Sequence, residues 1–212
     1  MQYFDPNHYL KTIAIIGLGG TGANVARIVG RIAYDMQRNR RHAPEILLID
    51  PDKVEEKNVG RQLFAPSDVG QYKAEIVGKR LNYALGLSTR WIPDAVDAKR
   101  HFDRYSSNIV ISCVDNHLAR REIHKIAGVH ISGGNHSDAG QVNIGSSDDP
   151  DLIRRYLDEE KVRYLPKEGL LFPALLEPEP QPEPQPQNLS CAELVASGEQ
   201  DLLVNDWMAT II

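Results

Sequence analysis

The stretch Thr12-Ile13-Ala14-Ile15-Ile16-Gly17-Leu18-Gly19-Gly20-Thr21-Gly22 is a short apolar run that passes directly into a glycine-rich turn. A helical pattern carrying Val25, Ile28, Val29 and Ile32 follows at once. Continuous apolarity over a few residues predicts a strand buried on both faces, and the spacing after Gly22 predicts an amphipathic helix. Gly17, Gly19 and Gly22 match G-x-G-x-x-G between the two. Missing side chains there let backbone N–H groups and the helix N-terminus approach a phosphate or an adenosine. The motif alone also fits a tight turn that only packs a helix on a sheet.

Beyond that helix, Tyr34 to Pro44 is polar and basic and reads as a helix extension plus loop, delaying a second apolar strand to Glu45–Ile49. Ser67-Asp68 is expected to cap a helix carrying Ile76, Val77, Leu81 and Leu85, with Lys73 in or near its first turn. Trp91 to Val96 reads as a third strand and Ile109 to Val114 as a central one, with Asp115 at its C-terminal end. His130 to Ser132 and Gln141 to Ile144 suggest further short strands around Gly133-Gly134-Asn135. The expected fold class is α/β: a Rossmann-like three-layer arrangement with a largely parallel central sheet and antiparallel strands in the second half.

With 212 residues, one domain over 1–212 is expected. Within it, 177–188 is read as a Pro-rich crossover loop, since Pro178 to Gln187 has nothing apolar to bury and favours an extended polyproline-type path. Asn188 to Glu193 resembles a capped helix start, and Leu202 to Ile212 an apolar helical run. A formal net charge of −5 supplies no basic field for nucleic acid or an anionic membrane. The apolar stretches are too short to span a bilayer, and no secretory signal is visible at the N-terminus, so a reducing cytoplasm is expected.

Asp50, at the end of the second strand, suits a nucleotide ribose, because a carboxylate there can accept from both sugar hydroxyls. That position alone does not separate NAD from ATP. Just beyond it, Asp52, Asn58, Arg61, Gln62 and Lys73 add two cations and three polar groups, which suits a triphosphate better than a dinucleotide. An isolated basic residue is ordinarily a solvated surface charge. The shared neighbourhood of Arg61 and Lys73 with Asp50 and Asn58 argues against that here. Asp115 reads either as a helix cap, with Asn116 as the alternative, or as a carboxylate holding Mg²⁺ at the crevice.

Only Cys113 and Cys191 are present, too few and too separated for a four-ligand zinc site, so no zinc is expected. Cys113 lies in an apolar strand and is assigned to the core. Cys191 stands near a helix start, where a thiolate could accept an acyl group, although a lone cysteine is as often inert. The histidines show no metal spacing: His124, His130 and His136 are six apart.

Five segments occur in order: Gly17 to Gly22, Leu48-Ile-Asp-Pro-Asp52, Asn58-Val-Gly-Arg-Gln62, Asp68 to Ala74, and Cys113-Val-Asp-Asn116. Together they resemble the ThiF/MoeB/HesA family, relatives of ubiquitin-activating enzymes. Gly133-Gly134-Asn135, Gly140-Gln141-Val142 and Ser190-Cys191-Ala192-Glu193 continue the likeness over most of the chain. The Asn-Val-Gly-Arg-Gln wording and the basic insert resemble in finer detail the ThiF-like proteins of bacterial PRTRC systems.

The resemblance implies an adenylyltransferase that uses ATP and Mg²⁺ to activate the C-terminal carboxylate of a small ubiquitin-like or sulfur-carrier-like protein, working as a homodimer. It implies nucleotide contacts from Gly17, Gly19, Gly20, Gly22, Asp50, Asp52, Asn58, Arg61, Gln62 and Lys73. Arg61, Lys73 and Asp115 would serve the chemistry, with Asp115 on the metal, and Cys191 would be a sulfur nucleophile. The chain departs from the family pattern in lacking paired C-x-x-C motifs and an arginine within Met1 to Lys11. Arg38, Arg40 or Arg41 could supply that positive charge, and further strands are usual in family members after the point where this sequence stops. A nonenzymatic nucleotide-binding scaffold and an NAD(P)-dependent oxidoreductase are the alternatives; ATP binding without pyrophosphate formation would mark the first, and a preference for nicotinamide the second.

Overall fold

The computed structural model describes residues 9–103, 106–135, 140–158, 164–178 and 204–212. Six strands form one sheet: β1 (Thr12–Ile16), β2 (Glu45–Ile49), β3 (Arg90–Ile92), β4 (Asn108–Ser112), β5 (Val129–Asn135) and β6 (Gly140–Gly145). Their order is β3-β2-β1-β4-β5-β6. All pairings are parallel except β5 with β6. Seven helices are present among the described residues: α1 (Gly20–Arg38), α2 (Lys73–Leu85), α3 (Ala98–His101), α4 (His117–His124), α5 (Pro150–Asp158), α6 (Glu168–Leu171) and α7 (Val204–Ile211).

The central strands are apolar throughout because both faces are covered. Ile15, Ile46, Leu48 and Ile111 pack with Val25 and Val29 of α1 and Val77 and Leu81 of α2. Their neighbours Ala14, Ile16, Leu47, Ile49 and Val110 point to the other face, against Ile123 of α4, Ile126 and Val96. Alternation along each strand thus feeds two separate cores, the three-layer α/β arrangement expected from the continuous apolar runs. No helix among the described residues is long and apolar enough to cross a membrane.

Some boundaries differ from the sequence reading. β3 ends at Ile92 rather than Val96, because Pro93 has no N–H to extend the ladder. β4 spans Asn108–Ser112, one residue earlier at its start and two at its end. Ser67-Asp68 does not cap α2. Pro66–Asp68 is a separate 3-10 turn in which the Asp68 carboxylate accepts from the Ala65 N–H at 2.6 Å and pairs with Arg80. The chain then folds back at Gly70 (φ +84°), where the Gly70 N–H donates to Val54 and the Val54 N–H to Gln71, and only Lys73 begins the helix. These antiparallel contacts use the backbone groups that a longer helix would need.

α7 confirms part of the apolar run assigned to Leu202–Ile212. It lies on α1: Thr21 donates its hydroxyl to Asn205 Oδ1 at 3.1 Å, and Asn24 donates to Asp206 at 2.6 Å. The extended run after Pro178, the helix start at Asn188 to Glu193 and Cys191 itself fall outside the described residues.

Candidate functional site

Strand order reverses at β1 and β4, one leading on to β2 and the other to β5. In an open α/β sheet the crevice beyond the carboxyl ends of such strands is where ligands bind. Gly17 follows β1 there, at φ +83°, with its N–H donated to the Ile49 carbonyl at 2.9 Å. A Cβ on Gly17 would stand 2.6 Å from the Cys113 carbonyl oxygen, and one on Gly22 would collide with the Gly17 carbonyl. These two glycines therefore shape the turn. Gly19 is different: the nearest atom to a Cβ there would be Gln62 Nε2 at 3.9 Å, so that face is open.

Gly19 is the N-cap of α1 and contributes no side-chain cap, and the first turn of α1 carries no acidic residue. The first turn of α1 lines the crevice with Gly19, Gly20 and Thr21 and brings the partial positive charge of the helix N-terminus to it. The crevice is a cavity of about 1240 Å³, roomier than a typical small-molecule site. Its lining brings together Gly17, Gly19, Gly20, Asp50, Asp52, Asn58, Arg61, Gln62, Lys73 and Asp115. Gly22 lies behind the turn, outside that lining.

Asp50 is buried, with Oδ2 accepting from the Leu18 N–H at 2.5 Å and Oδ1 from the Asp52 N–H at 2.8 Å. Burial pushes its carboxyl above the usual range, opposed by those two backbone donors and by Lys73. Each oxygen keeps a lone pair, which leaves acceptor capacity for two ribose hydroxyls. Lys73 is buried and donates to Asp52 at 2.9 Å; Asp52 is 64% exposed and so free to yield the ammonium to a phosphate. Asn58 is buried with Oδ1 accepting from the Glu55 N–H at 2.8 Å, which fixes the 3-10 turn at Glu56–Asn58 leading to Arg61 and Gln62. Gln62 Oε1 is buried on the cavity wall with no hydrogen-bond partner among the described residues. A polar atom left so is a point where a ligand donor would be welcome.

Asp115 is exposed at the end of β4, and Asn116 rather than Asp115 caps α4 by accepting from the Ala119 N–H at 2.8 Å. The cap reading of Asp115 is thereby removed. No cluster of three metal-ligating side chains occurs among the described residues. Mg²⁺ does not demand one, since it binds through one or two carboxylates completed by phosphate oxygens and water. Cys113 packs partly buried against the α1 core at the edge of the cavity, and burial pushes its thiol up to about 12.

Residues 10–142 match the ThiF family. The chain belongs to the ThiF family. Among curated relatives of this ThiF-family chain, ubiquitin-like modifier-activating enzyme 5 of Branchiostoma floridae is 34% identical over 126 residues, 53% of this chain and 29% of the relative. The same enzyme of Aedes aegypti is 28% identical over 130 residues, 53% of this chain and 30% of the relative. The match therefore spans less than a third of these relatives' length. Among solved structures, E. coli MccB aligns over 95% of this chain and 52% of its own with a TM-score of 0.51 and 18% identity, a likeness of fold. E. coli tRNA N6-threonylcarbamoyladenosine dehydratase, TcdA, aligns over 60% of this chain and 53% of its own with a TM-score of 0.45 and 24% identity.

Local sequence patterns do not single out three residues that the fold brings to the cavity. Asn205 reaches it from α7, placed over Gly20 and bonded to Thr21. Arg120 and Glu168 reach it as an ion pair with an N–O distance of 2.8 Å. Their partners are distant in sequence, so no periodicity signals them. The spacing Asn116-x-x-x-Arg120, one helical turn from cap to cation, was the available hint.

Proposed function

We propose that this chain uses ATP to adenylylate the C-terminal carboxylate of a small ubiquitin-like or sulfur-carrier-like protein. The observation that carries the reading is the single cavity in which the uncapped turn at Gly19, Asp50, the cations Arg61 and Lys73, and Asp115 meet. The ordered family match over residues 10–142 supports it.

In the reaction a carboxylate oxygen of the partner forms a bond to the α-phosphorus of ATP while the bond to pyrophosphate breaks, leaving an acyl adenylate. Negative charge grows on the transferring group and on the departing pyrophosphate, so catalysis rests on positioning and charge neutralisation. Asp50 would hold the ribose, and the first turn of α1 with the Nε2 donor of Gln62 would face the phosphates. Lys73, released from Asp52, and Arg61 would take up the developing charge. Mg²⁺ arriving with the nucleotide would be held at Asp115 and would neutralise phosphate oxygens there. A later attack of the Cys191 thiolate on the acyl adenylate would form a thioester and release AMP.

The proposal extends to a homodimer, with Trp207 and Ile211 of α7, 71% and 66% exposed, as the apolar surface for the second copy. The reaction itself is tested by incubating the chain with Mg²⁺, ATP and glycine-terminated candidate partners, followed by intact-mass spectrometry. A partner carrying one added AMP supports the reading; unmodified partners in the presence of bound ATP speak against it.

A further inference from the structure

Arg120 sits in the first turn of α4 with its guanidinium turned back toward the end of β4. Nη2 donates to the Val114 carbonyl at 2.8 Å, and Nη1 lies 2.8 Å from each oxygen of Glu168. The two side chains are 10% and 13% exposed, so the pair is largely removed from water. Removing one member of such a pair leaves a buried charge without compensation, which keeps the geometry in place.

Val114 is the residue before Asp115, and its carbonyl lies beyond the last ladder residue of β4. Arg120 gives that orphan carbonyl its donor. On the near side the Cys113 N–H is held by the Ile16 carbonyl at 2.8 Å, and on the far side Asn116 is held by its cap to Ala119. Cys113, Val114 and Asn116 on either side of Asp115 are thus each held by a hydrogen bond, and Asp115 itself is exposed and lines the cavity. Lys167, adjacent to Glu168, is also buried and donates to the carbonyls of His124 at 3.0 Å and Ile126 at 2.9 Å, at the other end of α4. Two consecutive residues therefore clasp both ends of the helix that follows Asp115.

We propose that Arg120, held by Glu168, is a positioning residue for Asp115: it pins the peptide between Val114 and Asp115 and so sets where that carboxylate meets the Mg²⁺ of the bound nucleotide. The inference rests on the reading of Asp115 given above. Groups that orient a metal's ligand without touching the ion are worth about 10–100-fold in metal affinity. Arg120→Ala raises by that factor the Mg²⁺ concentration at which N-methylanthraniloyl-ATP binding is half-maximally tightened. Arg120→Lys keeps a charge but cannot bridge Val114 and both Glu168 oxygens at once, and it gives an intermediate shift.

The experiment titrates Mg²⁺ into the wild-type chain, Asp115→Ala, Arg120→Ala and Arg120→Lys with that fluorescent nucleotide as probe. Loss of the Mg²⁺ response in Asp115→Ala together with the shift in Arg120→Ala supports the inference. A Mg²⁺ response that persists unchanged in Asp115→Ala overturns the metal reading itself. Loss in Asp115→Ala with no shift in Arg120→Ala overturns the positioning role alone. Should Arg120→Ala lose its cooperative unfolding transition, Arg120→Lys carries the same two outcomes.

Discussion

The Leu18 N–H donates to the Asp50 carboxylate at 2.5 Å, fastening the glycine turn after β1 to the end of β2. One buried side chain thereby shapes the turn and offers acceptors to a ribose. Asp50→Ala leaves the Leu18 and Asp52 amides without their acceptor, at a cost of about 1–3 kcal/mol for each amide that stays shielded from water, less whatever the relieved desolvation of the charge returns. Hydrogen bonds to a charged acceptor at that strength also imply about 10–100-fold discrimination between ATP and dATP in the wild-type chain. Titration calorimetry with both nucleotides checks this: the discrimination disappears in Asp50→Ala, and a variant that keeps it places the ribose elsewhere.

Lys73 is the buried member of its ion pair and Asp52 the exposed one. Its removal leaves Asp52 solvated but takes from buried Asp50 one of the charges that favour its carboxylate, so Lys73→Ala is expected to lower stability by on the order of 1 kcal/mol. If Lys73 neutralises the transferring phosphate, the same substitution lowers adenylylation by about 100–1000-fold. Denaturant unfolding read beside turnover separates the two effects, and a loss of activity that only tracks a loss of folded protein would refute the assignment.

His130 is buried beside Lys167 and shares the Ile126 carbonyl with it, His130 Nε2 lying 2.8 Å from that oxygen. Burial, reinforced by the Lys167 charge, depresses its pKa from 6.5 to about 4. The folded pKa lies below the unfolded one, so the unfolded chain takes up the proton first. His130 therefore favours the fold above pH 6.5, and this contribution, on the order of 3 kcal/mol at most, is lost as the pH falls from 6.5 toward 4. His130→Gln keeps a donor for Ile126 and does not titrate. Its melting temperature falls less between pH 7 and pH 4.5 than that of the wild type, and parallel slopes would contradict the account.

The Cys113 thiol, pushed from 9.0 up to about 12, carries about 1000-fold less thiolate near pH 8 than an unperturbed cysteine. In a Cys191→Ala chain, iodoacetamide labelling at pH 8 is accordingly slower by that order than in the urea-unfolded chain. Fast labelling of the folded variant would show Cys113 to be a reactive group. The same variant retains nucleotide activation and loses thioester formation if Cys191 is the acyl acceptor.

β1 and β2 were legible to the residue because a strand covered on both faces is apolar throughout. The turn between β1 and α1 was legible because only glycine fits beside the Cys113 and Gly17 carbonyls. Ser67-Asp68 has cap chemistry and so reads as the start of α2, whereas the fold-back at Gly70 that delays the helix to Lys73 depends on backbone contacts with Val54, which local pattern does not record. The contributions of Glu168 and Asn205, and the pairing of Arg120, left no trace for the same reason: 48 residues separate Arg120 from Glu168, and 184 separate Asn205 from Thr21. Local pattern records burial and turns, whereas contacts between distant residues leave no periodic trace.

The most direct measurement is ATP–pyrophosphate exchange with Mg²⁺, with and without small β-grasp-like proteins that end in glycine and are encoded beside this chain. Exchange is expected to depend on one such partner and to be abolished by Asp115→Ala while the fold is retained. Tight ATP binding with no exchange under any pairing would contradict this expectation and leave a nucleotide-binding protein without transfer chemistry.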